Sequence, residues 1–265
     1  MVSPPSSLSS WILSIAAIAA YAVPALGITL LTPAKARLAL RCAWVLHALA
    51  LASSLLVSPA HFGFAPALSI TAWLMLTVYA VEQQLFPQMR ARWALAALGA
   101  ATVALALVFP GQPMHVRASA WLPLHLALGI ACYGLFAAAV VHAALMSQAE
   151  QRMRTGAESD SGMPLLLLER LTFRFVTAGF LLLTATLLAG WLFGEQLYGH
   201  SWRWGHKEIF SLLSWGVFAI LLVGRNRFGW RGHHAVRMIY AGALLLLLAY
   251  VGSRFVLEVV LHRLI

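Results

Sequence analysis

The sequence predicts an all-α integral membrane protein, a polytopic bundle of about eight transmembrane helices with both termini on the outer side. Three observations carry this prediction. Of the 265 residues, 62% are hydrophobic and 10% are charged, against about 25% charged in an ordinary soluble protein. Mean hydropathy is +0.83. A soluble chain this apolar could not cover its own surface, and disorder, which needs low hydrophobicity, is excluded as well. Apolar runs long enough to cross a bilayer recur along the whole chain, and the basic residues between them alternate in density.

Taken in order, the candidate spans are roughly 8–31, 38–57, 64–82, 92–110, 121–146, 171–194, 208–224 and 235–260, each near the ~20 residues a crossing needs. No Lys or Arg precedes the first, so it lacks the basic region of a cleaved signal peptide. The second carries His47 in its middle. The fifth opens with Trp121-Leu-Pro-Leu-His125, where the proline frames a helix start. The seventh is the shortest, about 17 residues if it stops before Arg225. Gln148–Pro164 reads as a polar linker between the fifth and sixth spans. One transmembrane domain is expected over 1–265, with no soluble domain beside it.

The loops set the orientation. Lys35, Arg37, Arg41, Arg90, Arg92, Arg152, Arg154, Arg170, Arg174, Arg225, Arg227, Arg231 and Arg237 fall on one side, and Arg117, Arg203, Lys207, Arg254 and Arg263 on the other. The 13 and 5 account for all 18 Lys and Arg. The positive-inside rule then places the first set in the cytoplasm and both termini outside, the periplasmic face of a bacterial inner membrane. The net charge of +10 is explained by loop orientation, and no nucleic-acid partner is expected. Ten tryptophans suit interfacial anchoring. Cys42 and Cys132 form neither C-x-x-C nor C-x-x-C-H, so no thiol exchange and no covalently attached haem is expected; both read as packing residues.

Without a soluble domain, chemistry must use polar groups at helix ends or inside the bundle. Glu82, Glu169, Glu195, Glu208 and Glu258 lie near predicted helix ends, which disfavours a carboxylate-driven proton pump. The outer-face histidines are His61, His115, His125, His200, His206 and His262. His47 sits about 14 Å deep, nine residues along its helix. It suits either a neutral imidazole hydrogen-bonded to a neighbouring helix or a ligand to a metal or haem iron. His142 reads as interfacial. His125 and His142 share a helix seventeen residues apart, about 25 Å, so they cannot hold one metal together.

The densest polar and aromatic stretch joins the sixth and seventh spans: Tyr198-Gly-His200-Ser-Trp202-Arg203-Trp204-Gly-His206-Lys207-Glu208 and on to Trp215. Trp202 and Trp204 offer flat apolar faces, Arg203 and Lys207 can pair with anions, and His200 and His206 can donate or ligate. A planar apolar dianion with a central metal, as haem is, suits that surface. An interfacial aromatic belt with snorkelling basic residues suits the same composition.

Trp202-Arg-Trp204-Gly-His-Lys207-Glu208-Ile-Phe-Ser-Leu-Leu-Ser-Trp215 resembles the tryptophan-rich segment of the cytochrome c assembly proteins, which typically runs W-x-W-D-P-K-E-x-W-x-L-x-x-W. Gly229-Trp-Arg-Gly232 before a closing span, His125 opening a span with Ala131-Cys-Tyr133-Gly-Leu-Phe136, and Tyr250-Val-Gly-Ser253-Arg-Phe255-Val-Leu-Glu258 are similar to the same family. The pattern is closest to its CcsA/HemX-like branch and, within that, to the YpjD-type inner membrane proteins; it is strongest over 121–265. The resemblance implies a multi-pass membrane protein that binds or moves a b-type haem. It implies His125 as an outer haem-iron ligand and Trp202 and Trp204 as the loop over the haem, with Lys207, Glu208 and Trp215 in its continuation; from residue chemistry alone, Arg203 and His206 are candidates beside it and His47 is a second candidate ligand. It also implies partners among cytochrome c maturation or haem biosynthesis proteins.

Three departures stand out. Gly205-His206 replaces the family's Asp-Pro, Val223 stands where the following span often ends in His, and Gly252-Ser253-Arg254 replaces a histidine-bearing stretch, with His262 ten residues beyond Gly252 as a displaced candidate ligand. These open a second reading, a HemX-like regulatory or scaffolding protein with no chemistry of its own. A metal or small-solute transporter is a third, resting on His47 and His142 alone. No nucleophile–base pair, phosphate loop or thiol pair is visible, so no enzyme in the strict sense is expected.

Overall fold

The structure is a computed structural model describing residues 8–26, 32–55, 61–85, 92–113, 121–155, 164–194 and 204–261. Among the described residues, the regular structure is helical apart from one pair of two-residue strands. The helices are α1 (Leu8–Leu26), α2 (Pro33–Leu55), α3 (Phe64–Leu85), α4 (Arg92–Val108), α5 (Trp121–Arg154), α6 (Leu165–Leu192), α7 (His206–Phe228) and α8 (Gly232–Leu247). α8 continues through a π-helical turn, Leu248–Gly252, a short α turn, Ser253–Phe255, and a second π turn, Val256–Val260. Among the described residues, seven helices have the length and apolarity to cross a membrane, and α4 contributes a shorter apolar stretch, Ala94–Val108.

Several expected boundaries shift, each where a charged residue marks the edge of an apolar run without ending the helix. α7 has 23 residues where about 17 were expected. It runs past Val223 because Arg225 is received by Glu169 (Nη1 to Oε1, 2.6 Å) and lies 3.6 Å over the Phe173 ring. It ends where Gly229 turns left-handed at φ 64°, its N–H donating to the Arg225 carbonyl while Trp230 N–H donates to that of Gly224. α5 runs 34 residues, through Ala149 and Glu150 to Arg154, so the first part of the expected linker, from Gln148 to Arg154, is helix. There Glu150 meets His233 at 3.4 Å. α4, not α7, is the shortest of the eight described helices that were expected as spans, apart from the interrupted α8.

Contacts along the chain gather into two compact units, Met1–His115 with Arg254–Ile265, and Val116–Ser253. In the first, α1 packs on α2 and α4, and α3 on α4 and α2. Trp44 and Trp73 stack with ring centres 5.2 Å apart, Trp44 Nε1 donates to Thr77 Oγ1 and Trp73 Nε1 to the Trp44 carbonyl. The strand pair, His61–Phe62 with Gln112–Pro113, is antiparallel and closes one end of this unit. Gly111, at φ 82°, makes that closure possible, since any Cβ there would lie 2.6 Å from the Phe62 carbonyl carbon.

In the second unit α5 packs most extensively on α6, and α8 on α7 and α5. Its core holds Cys132, Phe136, Met146, Val176, Phe218 and Ile239. Small residues allow the close approach that membrane helices depend on. Gly242 leaves room for Phe218, which stacks on Phe136 with centres 3.9 Å apart, and Ser214 Oγ donates to the Gly242 carbonyl at 2.8 Å. The first π turn of the closing helix has a visible cause. The Tyr133 hydroxyl donates to the Leu246 carbonyl, so a side chain is inserted into the helical hydrogen-bond ladder. Cys132 packs as expected at 1% exposure, whereas Cys42, expected to pack, is exposed.

Candidate functional site

The predicted site residues separate into two places. In the second unit, His125 is half-buried on the first turn of α5, four residues after Trp121. Its charged neighbour is Lys207, the second residue of α7. Sequence separates the two by 82 positions, and the fold brings them together. α7 starts at this point because Glu208, on its first turn, reaches back to the Gly205 N–H at 3.1 Å. His206 is exposed on that turn, and Trp204, just before it, is 72% exposed. Trp215, two turns on, is fixed instead: its Nε1 donates to Thr184 Oγ1 at 3.0 Å and its ring stacks on Phe180. Trp202, Arg203, His200 and His262 lie outside the described residues.

The imidazole at the start of α5 and the ammonium group at the start of α7 are thus electrostatic neighbours, and an exposed indole directly precedes α7. Those residue types suit haem: His125 could hold the iron, Lys207 could pair with a propionate and Trp204 could offer a flat apolar face. Among the described residues, no group of three or more His, Cys, Asp or Glu is placed to hold a bare metal ion.

The second place is His47, in the first unit. It is fully buried, with both ring nitrogens engaged: Tyr21 Oη lies 3.1 Å from Nδ1 and Ser69 Oγ 2.9 Å from Nε2. The directions of these bonds follow from the tyrosine. Tyr21 is 0% exposed, and among the described residues its hydroxyl has no acceptor other than Nδ1. A tyrosine that accepted from His47 would strand a buried O–H, so Tyr21 donates to Nδ1 and Nε2–H donates to Ser69. A metal ion at either nitrogen would have to displace one of these bonds.

His142 is enclosed by protein. It is 2% exposed, its Nδ1 lies 2.9 Å from the Ala138 carbonyl one turn back, and its ring meets Phe175 of α6. α5 is continuous between His125 and His142, so the two remain about 25 Å apart. Sequence reasoning did not find the partners of His47, Tyr21 and Ser69. Nor did it find the Glu169 carboxylate that receives Arg225 and, at 3.4 Å, Arg231. The only available signal for either was a polar residue inside an apolar run.

The chain has known relatives. The inner membrane protein YpjD of Escherichia coli strain K12 is 30% identical over 161 residues, 60% of this chain and 60% of that protein. The cytochrome c biogenesis protein CcsA of Prochlorococcus marinus strain NATL1A is 37% identical over 85 residues, 32% of this chain and 27% of that protein. The same protein from strain SARG is 34% identical over 88 residues, 33% of this chain and 28% of that protein. The matched stretch therefore spans about 60% of the length of the YpjD relatives. No solved structure matches. The sequence model described as cytochrome C assembly protein matches residues 34–261, most of the chain, and this polytopic, all-helical membrane protein belongs to that family.

Proposed function

We propose that this chain is a haem-handling protein of the bacterial inner membrane, acting in or near cytochrome c assembly, with haem received at its outer face. The observation that carries the proposal is the pairing of His125 with Lys207 beside Trp204. Family membership over 34–261 and the relatives called inner membrane protein and cytochrome c biogenesis protein support it. His125 would ligate the iron, Lys207 would hold a propionate, and Trp204, with Trp202 and Arg203, would cover the ring. When bound, a b-type haem supplies the group that cytochrome c receives. The chain's own part is to bind it, orient it and keep water from one face; this is catalysis by proximity at most, not an enzyme with its own nucleophile. His206, exposed on the same turn, is the nearest candidate for a second ligand on this loop, and His262 is the alternative.

Orientation belongs to the same proposal: both termini outside, and the loops after α1, α3, α5 and α7 in the cytoplasm. Glu169 with Arg225 and Arg231, and Glu150 with His233, tie the loops after α5 and α7 to one end of the second unit. The strand pair does the same for the loops after α2 and α4 in the first. Both pairings support the alternation on which that orientation depends.

The test is an optical spectrum of the detergent-purified chain with a pyridine haemochrome assay. A Soret band with sharp reduced-state bands, lost in His125→Ala and weakened in Lys207→Gln, is expected. No band before or after adding haem would remove the proposal. A regulatory or scaffolding role of the HemX-like kind is the second reading. It is favoured by the Gly205–His206 stretch, which stands at the family's Asp-Pro and is engaged in starting α7. That reading predicts that the basic segment from Arg225 to His234 carries the contacts, so a strain with that segment neutralised should show altered haem or cytochrome levels with no haem on the purified protein.

A further inference from the structure

We infer that the first unit holds a second site, a pocket for a neutral amphiphile whose head group presents a carbonyl oxygen to the Ser69 hydroxyl. The cavity has a volume of about 60 Å³ and opens at a mouth, room for a small polar head group whose apolar tail lies outside it. It is walled by α1, α2, α3, α4 and the first strand: Ser14, His47, His61 and Ser69 supply polar groups, and Leu51 and Leu107 apolar ones.

Three features define the ligand. Among the described residues, no Asp, Glu, Lys or Arg lines the pocket, so these walls give a charged head group no counter-charge. The ligand is therefore neutral. Ser69 is 1% exposed, and its described side-chain partner is His47. Because the buried Tyr21 fixes the imidazole as donor toward Ser69, the Ser69 oxygen is an acceptor there, and its own O–H remains to be donated into the pocket it lines. An acceptor oxygen is the complement. Ser14, buried and facing the same space, offers a second hydroxyl. Ser54 does not, since it donates to the Leu51 carbonyl at 2.9 Å. Finally, the walls belong to apolar membrane-scale helices, so the ligand comes from among bilayer-soluble molecules. An isoprenoid quinone ring and a neutral glyceride ester share this chemistry.

The inference is independent of the haem proposal, since it concerns residues in a different unit. It is tested by native mass spectrometry of the detergent-purified full chain, titrated separately with ubiquinone-1 and with dioctanoylglycerol. One bound equivalent of either probe is expected, and which one binds identifies the source. Ser69→Ala should weaken binding about tenfold, the effect of one hydrogen bond. Ser69→Thr, which keeps the hydroxyl, should restore it. Leu107→Trp should block the space while leaving the His47 bonds intact. If neither probe binds, or if binding is indifferent to Ser69→Ala, the inference is overturned; the alanine–threonine pair decides even if Leu107→Trp fails to fold. A Soret band lost in His47→Ala would also overturn it, because His47 would then be an iron ligand rather than the group that orients Ser69.

Discussion

The two compact units each place a histidine among apolar helices and treat it in opposite ways. His47 is closed off, with Tyr21 on one nitrogen, Ser69 on the other and no exposed surface. His125 lies half-buried at a helix start with an ammonium group for a neighbour. A buried imidazole with both nitrogens satisfied behaves as part of the core and positions its neighbours. An imidazole left half-open at a helix start is placed where a ligand can reach its lone pair. Residue type is the same in both units; the partners decide what each histidine does.

Removing the closed histidine should therefore cost the most stability. His47→Ala leaves a cavity and strands two buried hydroxyls, Tyr21 and Ser69, so a loss of about 4 kcal/mol is expected. Unfolding in mixed detergent–SDS micelles measures it. His47→Gln, which keeps an amide donor and acceptor, should recover part of that loss. If His47→Ala unfolds like the parent, His47 is not a core group, and the contrast between the units fails.

The second unit has its own buried polar centre, and breaking it should come next. Glu169 receives both Arg225 and Arg231, and its side chain is 12% exposed against 25% for Arg225. Glu169→Ala should cost about 3 kcal/mol, because it leaves the Arg225 charge over Phe173 without its counter-ion. A double change, Glu169→Ala with Arg225→Met, should be milder than the single one. An additive double-variant cycle would mean that the two residues do not act as a pair.

Much of this molecule was legible in the sequence. Spans are read by a property summed over about twenty residues, and such sums tolerate local error. Helix ends were less legible, because a charged residue closes an apolar run whether or not a partner keeps the helix going: Arg225 continues α7 only because Glu169 is there. His125 could be picked out from the Trp-Leu-Pro-Leu that precedes it, but not its pairing with Lys207, a contact across 82 positions. The burial of His142 was not legible either. Nothing local shows that Phe175 and the Ala138 carbonyl enclose it.

A smaller effect tests the packing on which the second unit depends. A Cβ added to Gly242 would lie 2.7 Å from Phe218 Cζ, and Phe218 is itself stacked on Phe136. Gly242→Ala should cost about 2 kcal/mol by overpacking. Phe218→Leu in the same chain should relieve part of it. Gly216→Ala, where the added Cβ meets nothing within 4 Å, is the control and should be neutral or slightly stabilising, as alanine favours the helix.

His125→Ala should change stability least, by no more than about 0.5 kcal/mol, because the side chain is half-buried at a helix start rather than enclosed. The same change should abolish haem binding. That dissociation of stability from ligand is the sharpest form of the comparison: His47→Ala should weaken the fold and leave any haem spectrum per folded molecule intact, and His125→Ala should do the reverse. Measuring the Soret absorbance and the unfolding midpoint of both variants in the same micelles gives the four numbers needed. If His125→Ala lowers the midpoint as far as His47→Ala does, both histidines are core groups and the outer end of α5 is not a ligand site. If it leaves the midpoint unchanged and removes the Soret band, the half-open position explains why this imidazole, and not the enclosed one, is offered to a ligand.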